Sequence, residues 1–160
     1  DWLGELGPYS IFLVSLFAFA EACIGIGLLV SGAFLVVVAT LLYSNDMASL
    51  PVIILLALSG ALLGDHAGFY VGRWLGPRFH DLAIARKYQL SVAKAERLLH
   101  RWGWLAIFIG RFVPAIRSLL PALIGISGFG RRRYSLLDFM ACMLWSAALG
   151  SIVLGLDYSF

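Results

Sequence analysis

The sequence predicts an all-α integral membrane protein, in which transmembrane helices are combined with two re-entrant hairpins of broken helix. Of the 160 residues, 61% are hydrophobic and only 13% are charged, whereas a soluble domain carries roughly 25% charged residues. A water-soluble fold of this length could not hide so much apolar surface. The mean hydropathy of +0.92 also indicates that lipid surrounds most of the chain. We expect a single membrane domain over residues 1–160, because no linker or low-complexity tract divides the sequence.

The charge distribution predicts the orientation of the chain in the membrane. None of the 12 Lys and Arg residues lies in residues 1–72. Because cytoplasmic loops carry an excess of Lys and Arg, we expect the basic segments 73–101 and 131–133 to be cytoplasmic. No RNA-binding or DNA-binding motif surrounds these basic residues, so we expect no nucleic-acid partner.

The first apolar stretch, residues 11–43, is too long for one straight span, since a spanning helix needs roughly 20 residues. Its middle contains Glu21 followed by Gly25, Gly27, Ser31 and Gly32, small residues that permit a break in the helix or a close helix approach. We therefore predict a re-entrant hairpin. The polar turn at residues 44–49 has no positive charge and is expected outside the cell.

Residues 51–72 predict one transmembrane helix, with Pro51 in the first turn, where its missing N–H costs nothing. Residues 77–102 then mix apolar and basic side chains at helical spacing. Such a segment is typical of an amphipathic helix on the anionic cytoplasmic leaflet, although an ordinary solvated linker helix is the alternative.

Residues 105–129 predict the second re-entrant hairpin, which enters from the cytoplasmic face. A single span would carry the arginines of 131–133 to the outside, against the positive-inside rule. Pro114 and Pro121 interrupt the helix, and Arg111 and Arg117 would be costly if they faced lipid. Residues 134–156 are apolar and predict a further transmembrane helix. The two hairpins would thus enter from opposite faces, a pattern typical of transporters with a site near the midplane.

Two motifs resemble the DedA family, also known as SNARE-associated or VTT-domain proteins, and the resemblance covers residues from about 15 to 150. One is LLGDHAGFYVGRWLG at residues 62–76 and the other is GRFVPAIRSLLPALIG at residues 110–125. Glu21 occupies the place of the family's membrane-embedded acid. The matching motif residues are Gly64, Asp65, Tyr70, Gly72, Arg73, Gly76, Gly110, Arg111, Phe112, Pro114, Arg117, Pro121 and Gly125.

The resemblance implies a multi-pass protein of the cell inner (plasma) membrane that translocates undecaprenyl phosphate or a related lipid, with dependence on the proton gradient. In the family an arginine pair and an acidic pair are functional. The arginines correspond to Arg111 and Arg117 and the first acid to Glu21. At the second acid this chain has Ala33, which cannot titrate, so the proton-coupling role falls to Glu21 alone or with Asp65.

Physical chemistry gives these residues definite roles. The guanidinium groups of Arg111 and Arg117 match phosphate oxygens and could hold the headgroup of a polyprenyl phosphate, while Glu21 and Asp65 exchange protons. Structural pairing between the arginines and Glu21 is the alternative. We interpret His66 as a hydrogen-bonding packing residue, and Cys23 and Cys142 as small packing residues.

The expected partners are therefore membrane lipids, a polyprenyl phosphate and protons, with no cofactor, no metal site and no enzymatic activity. Whether the protein forms a homo-oligomer stays open. A proton-coupled exchanger of small cations or drugs, which would use Glu21 and Asp65 as its cation site, is the second hypothesis. A general phospholipid scramblase and a membrane scaffold without transport activity are the others.

Overall fold

The protein consists of helices only, within the residues that the computed structural model describes: 7–23, 32–79, 90, 93–94, 97, 100–102, 104–112 and 117–158. This confirms the predicted all-helical class. A short 3₁₀ helix at Gly7–Ile11 leads into the first α-helix. The six α-helices are α1 (Phe12–Ala22), α2 (Gly32–Ser44), α3 (Leu50–Phe79), α4 (Leu105–Phe112), α5 (Leu120–Ile126) and α6 (Arg131–Asp157).

The long helices α3 and α6 are the two candidate membrane spans. Helix α6 has 27 residues and is therefore about 40 Å long at 1.5 Å per residue, enough to cross a hydrocarbon core of roughly 30 Å. The two helices run antiparallel, because a β-carbon on Gly150 would meet the side chain of Ile54 while His66 contacts Ser135 at the opposite end. The helices predicted at 51–72 and 134–156 are thus confirmed as apolar helices of sufficient length.

The first apolar stretch is divided into α1 and α2. Helix α1 runs parallel to α3, since Ser15 lies against Gly60 and Phe19 against Gly64, one turn further along both helices. A short turn connects α2 to α3, and Glu21 at the end of α1 lies against Gly32 at the start of α2. With 11 and 13 residues, each helix measures roughly 16–20 Å and is too short to cross a bilayer by itself.

The second interrupted stretch forms α4 and α5. A β-carbon on Gly110, near the end of α4, would overlap the side chain of Leu120 at the start of α5, so the two helix ends meet. Helix α5 runs parallel to α3, because Gly72 lies against Ala122 and Gly76 against Ile126. Pro121 occupies the first turn of α5, where its missing N–H leaves no hydrogen bond unmade. Pro114 lies outside the described residues.

Two apolar clusters hold these helices together. The first joins α1, α2, α3 and α6, and the second joins α3, α4, α5 and α6 around the rings of Phe69 and Tyr134, which stack at 4.1 Å between centroids. The buried members of the first are Val14, Ala18, Leu35, Ala39, Leu42, Ile53, Ala57, Leu149 and Val153. Every interrupted helix therefore packs on α3, α6 or both.

Most of the predicted amphipathic segment 77–102 lies outside the described residues. Its described part is helical at Leu90, at 93–94, at Arg97 and at 100–102, and the Nε group of Arg97 donates to the carbonyl oxygen of Ala93 at 3.1 Å. The exposed Leu90 and Trp102 fit an apolar face, but contact of this segment with the membrane surface stays a prediction.

Candidate functional site

The broken ends of both interrupted segments meet at the middle of α3. Helix α1 covers α3 near Gly60 and Gly64, and α5 covers it near Gly72 and Gly76. The part of α3 between these contacts carries Asp65. Asp65 and the four side chains around it are charged and buried, with exposed fractions of 8% for Glu21, 1% for Asp65, 6% for Arg111, 9% for Arg117 and 2% for Asp138.

Glu21 and Arg117 form the first buried ion pair, in which Nη1 of Arg117 donates to Oε1 of Glu21. Glu21 ends α1, and Arg117 lies three residues before α5, so the pair joins the first interrupted segment to the second. Gly32 makes room for it, since a β-carbon there would lie 2.8 Å from Oε1 of Glu21. Ala33 follows immediately, in the first turn of α2, and has no ionisable group.

Arg111 lies between two carboxylates. Its Nη1 donates to Oδ2 of Asp65 on α3 and lies 3.5 Å from Oδ1 of Asp138 on α6. Asp138 was not among the predicted site residues. The signal that could have found it is an acid inside the apolar stretch 134–156, because ionisable residues in membrane-spanning segments are rare and are usually functional or paired.

Trp145 on α6 packs against both arginines. The guanidinium carbon lies 4.4 Å from the ring centroid for Arg117 and 5.5 Å for Arg111, within the range of a cation–π interaction. The indole ring therefore lies close to two like charges. Trp145 lies within the predicted span 134–156, and no motif of the sequence connects it with the arginines.

Both guanidinium groups retain unused donors. The Nε and Nη2 atoms of Arg111 and Arg117 are buried and have no hydrogen-bond partner within the described part of the chain. These groups border a small cavity with room for about one water molecule. The cavity is lined by Asp65, Ile107, Arg111, Arg117, Leu120, Pro121, Ile124, Tyr134 and Asp138.

His66 lies beside this cluster and makes the hydrogen bonds expected of it. Its Nδ1 is 2.9 Å from the carbonyl oxygen of Leu62 and its Nε2 is 3.0 Å from the hydroxyl of Ser135. Cys142 departs from the expectation of a simple packing residue, because its thiol lies 3.6 Å from Oδ2 of Asp65. Cys23 is half-buried next to the end of α1.

The remaining motif residues bring the helices into close contact. A β-carbon on Gly64, Gly72 or Gly125 would overlap atoms of the helix packed against it, and Pro121 is buried at the start of α5. Arg73 donates to the carbonyl oxygen of Phe129 at 3.0 Å and ties α3 to the segment between α5 and α6. Of these residues Pro121 also lines the small cavity, whereas the three glycines and Arg73 hold the helices around it.

The carboxylates also raise the question of a metal ion. Asp65, Asp138 and Cys142 offer two oxygens and one sulfur within 4.8 Å of one another. The guanidinium of Arg111 already lies against both carboxylates, so a cation would have to compete with a fixed positive charge at this position.

The sequence is similar to a known protein family and to named membrane proteins. The profile of the VTT domain matches residues 7–154. Inner membrane protein YghB of Salmonella typhimurium is 31% identical over 157 residues, which is 94% of this chain and 71% of that protein. Inner membrane protein YqjA of Escherichia coli K12 is 31% identical over 122 residues, 76% of this chain and 56% of its own length.

A protein of Buchnera aphidicola (subsp. Schizaphis graminum), called an uncharacterized membrane protein, is 27% identical over 86% of this chain and 54% of its own length. The chain thus spans about half the length of the last two relatives. No solved structure gives a significant match. The profile match over nearly the whole chain and the identity with named inner membrane proteins lead to one conclusion: the chain is a membrane protein of the DedA (VTT-domain) family.

Proposed function

We propose that this chain is the membrane-embedded part of a transporter that moves a phosphate-bearing lipid carrier, such as a polyprenyl phosphate, across the inner membrane together with protons. The observation that carries the proposal is the pair of buried arginines, each of which uses one nitrogen in an ion pair and leaves two donor nitrogens without a partner among the described residues.

The donor geometry favours a phosphate ligand. A guanidinium offers a planar fork of N–H groups that matches two phosphate oxygens, and such charge-assisted pairs are short and strong. Trp145 supports the guanidinium groups of both Arg111 and Arg117. One phosphate between them would satisfy donors that have no partner among the described residues.

In our proposal, the small cavity means that the structure represents a closed state of the transport cycle, in which the site has no room for a phosphate. A phosphate group needs more room than one water molecule, so binding must separate the arginines from Glu21 and Asp65. In our proposal, the two interrupted segments enter the bilayer from opposite faces, and their meeting point at Asp65 opens toward one face at a time. Such gating around a midplane site is how transporters with broken helices work.

The charge balance couples this binding to protons. The cluster contains three carboxyl groups and two guanidinium groups, Glu21, Asp65, Asp138, Arg111 and Arg117. When a phosphate binds Arg111 and Arg117, the carboxylates that were paired with them stay buried without a cation, which is strongly unfavourable. Protonation of the released carboxyl groups removes that cost, so lipid phosphate and protons would bind together.

A proton-coupled exchanger of small cations is the second candidate, because three carboxyl groups exceed two guanidinium groups at the site. With all five groups ionised, the surplus of one negative charge favours a bound cation. The two candidates differ in the sign of the charge on the substrate, and binding experiments with the purified protein separate them.

The test is binding of a short-chain polyprenyl phosphate to the purified protein, compared with the same lipid lacking its phosphate. We expect phosphate-dependent binding to wild type that falls by about 10- to 100-fold in Arg117→Lys and in Arg111→Lys, since loss of one bidentate charge-assisted contact costs roughly 1.5–3 kcal/mol. The matched control is Arg97→Lys, in the exposed segment, which should bind as wild type does.

Two results would contradict this function. Equal binding of the lipid with and without its phosphate would show that the protein has no phosphate site. Full binding by both lysine variants would show that the guanidinium groups do not recognise the phosphate. Competition of the binding by monovalent cations or cationic drugs, lost in Glu21→Gln, would instead support the exchanger.

A further inference from the structure

We propose that Asp65 and Asp138 hold one proton between them, and that His66 exchanges this proton with water at the basic end of the molecule. The inference rests on the proposed function in one respect, since this proton would be one that accompanies the lipid phosphate. It places a proton-binding site between the long helices α3 and α6, apart from Glu21 in the interrupted segment.

The two carboxyl groups are close and share one cation. Their oxygens lie within 4.8 Å of each other, and Arg111 is the guanidinium in contact with both. Both side chains are almost completely buried. Two carboxylates that share one site repel each other when both are ionised, and a proton held between them removes this repulsion.

The hydrogen bonding of the pair leaves a place for that proton. Oδ1 of Asp65 and Oδ2 of Asp138 are buried and have no hydrogen-bond partner among the described residues. Since a buried acceptor without a partner costs about 1–3 kcal/mol, a proton carried by one carboxyl group would supply the donor that these oxygens lack.

His66 is the side chain that connects this pair to water. Its side chain is 29% exposed, whereas that of Asp138 is 3% exposed, and its Nδ1 lies 3.5 Å from Oδ2 of Asp138. Because a carbonyl oxygen can only accept, the contact with Leu62 places a hydrogen on Nδ1. Nε2 then accepts from the hydroxyl of Ser135.

The transfer is balanced in protons. Nε2 takes a proton from a hydronium ion of the adjoining water, which is left as neutral water, while the Ser135 hydroxyl turns to accept from Nε2. Nδ1 gives its proton to Oδ2 of Asp138 after these atoms close to hydrogen-bond distance. The imidazole ends neutral with its hydrogen on Nε2, and a change of tautomer through water restores the starting form. One proton enters and one is delivered.

The position of His66 defines the side from which the proton comes. Its partner Ser135 follows Arg131 by four residues, about 6 Å along the helix, and the guanidinium of Arg131 lies 5.9 Å from the ring centroid of Tyr70. Since the arginines 131–133 are predicted to be cytoplasmic, His66 would exchange protons with water on the cytoplasmic side of the membrane.

The other ionisable groups that face the pair come from each packed element. Arg111 on α4 stays charged between the carboxyl groups, and on α6 the hydroxyl of Tyr134 donates to the main-chain oxygen of Asp65. Cys142 donates its thiol to Oδ2 of Asp65. The next ionisable groups are Glu21 on α1 and Arg117 before α5, which form an ion pair with each other. Tyr134 and Cys142 are fully buried, so neither offers His66's contact with water.

Infrared spectroscopy of the whole purified chain in an ester-free detergent tests the shared proton without any substrate. We expect the C=O band of a protonated carboxyl group at neutral pH in wild type, and loss of that band in Asp138→Asn and equally in Asp65→Asn, because one proton serves both. Asp46→Asn, an exposed acid, is the matched control and should keep it. A band that survives unchanged in Asp138→Asn overturns the proposal.

Transfer into D₂O tests His66 in the protein with both carboxyl groups intact. We expect the band to shift by deuterium exchange roughly a hundredfold more slowly in His66→Gln than in wild type, the low end of what a positioned acid–base group contributes. His100→Gln, an exposed histidine, should exchange as wild type does, and equal rates in the two variants would exclude His66 as the carrier. Because no lipid is present, this result stands apart from the phosphate-binding test: either can fail while the other holds.

Discussion

Single residues at the centre of this protein are held by opposite charges and not by apolar packing. Removing two ions from water costs several kcal/mol for each ion, and only close pairing with further hydrogen bonds offsets that cost. The pair Glu21 and Arg117 is incompletely bonded, since Oε2 of the acid and two nitrogens of the arginine have no partner among the described residues. Such a pair is weak as a stabilising device and well suited to being opened by a ligand.

A double-mutant cycle on this pair tests that view. We expect Arg117→Gln alone to destabilise the detergent-solubilised protein by about 3–5 kcal/mol, because it leaves Glu21 buried without its cation. The double variant Glu21→Gln/Arg117→Gln should recover most of that loss, since no uncompensated charge remains. Chemical unfolding measures both values. Losses in Arg117→Gln and in Glu21→Gln that simply add in the double variant would mean that the two side chains are not coupled.

At the scale of elements, α3 is the helix on which both interrupted segments are placed. A row of glycines spaced by four winds slowly around it, at Gly60, Gly64, Gly68, Gly72 and Gly76. Small residues at this spacing let helix backbones approach closely in membranes. Helix α1 packs against the first two glycines of the row and α5 against the last two. The row therefore determines where the broken helix ends meet, with Asp65 between them.

Alanine substitutions along this row test the close contacts. A β-carbon on Gly72 would overlap the backbone of Ala122, and one on Gly64 would overlap Ala22 and the carbonyl oxygen of Phe19. We therefore expect Gly72→Ala and Gly64→Ala to lower thermal stability by about 1–3 kcal/mol, as overpacking typically does.

The matched control is Gly155→Ala on α6, where a β-carbon would meet no atom within 4 Å. Alanine is preferred over glycine in a helix by roughly 0.5–1 kcal/mol, so this variant should be unchanged or slightly more stable. A thermal melt that ranks Gly72→Ala with Gly155→Ala would argue against a tight contact between α3 and α5.

For the whole molecule, the sequence predicts the pattern of long and interrupted helices but not how their charges pair. Hydropathy and length are local properties, and they placed two spans and two interrupted stretches. The ion pairs of Arg111 with Asp65 and of Arg117 with Glu21 join positions 46 and 96 residues apart, and no periodicity specifies them. The motifs indicated Arg111, Arg117, Asp65 and Glu21 together, whereas Asp138 and Trp145 emerged only from packing of α6, since each looks like one unusual residue in an apolar span.

The antiparallel arrangement also leads to a prediction for the topology of the whole molecule. The Ser44 hydroxyl donates to Asp157 at 2.8 Å, so the end of α2 and the end of α6 lie on one side, and the arginines that begin α6 lie at its other end. With both native cysteines replaced by alanine, we expect a membrane-impermeant maleimide added to intact cells to label Asn45→Cys and to leave Arg132→Cys unlabelled until the cells are opened.

Trp104→Cys, at the start of α4, should behave as Arg132→Cys does if the second interrupted segment returns to its own face. Labelling of Arg132→Cys in intact cells, with Trp104→Cys protected, would show instead that α4 and α5 together cross the membrane, and the proposal of a site opened alternately from two faces would then fail.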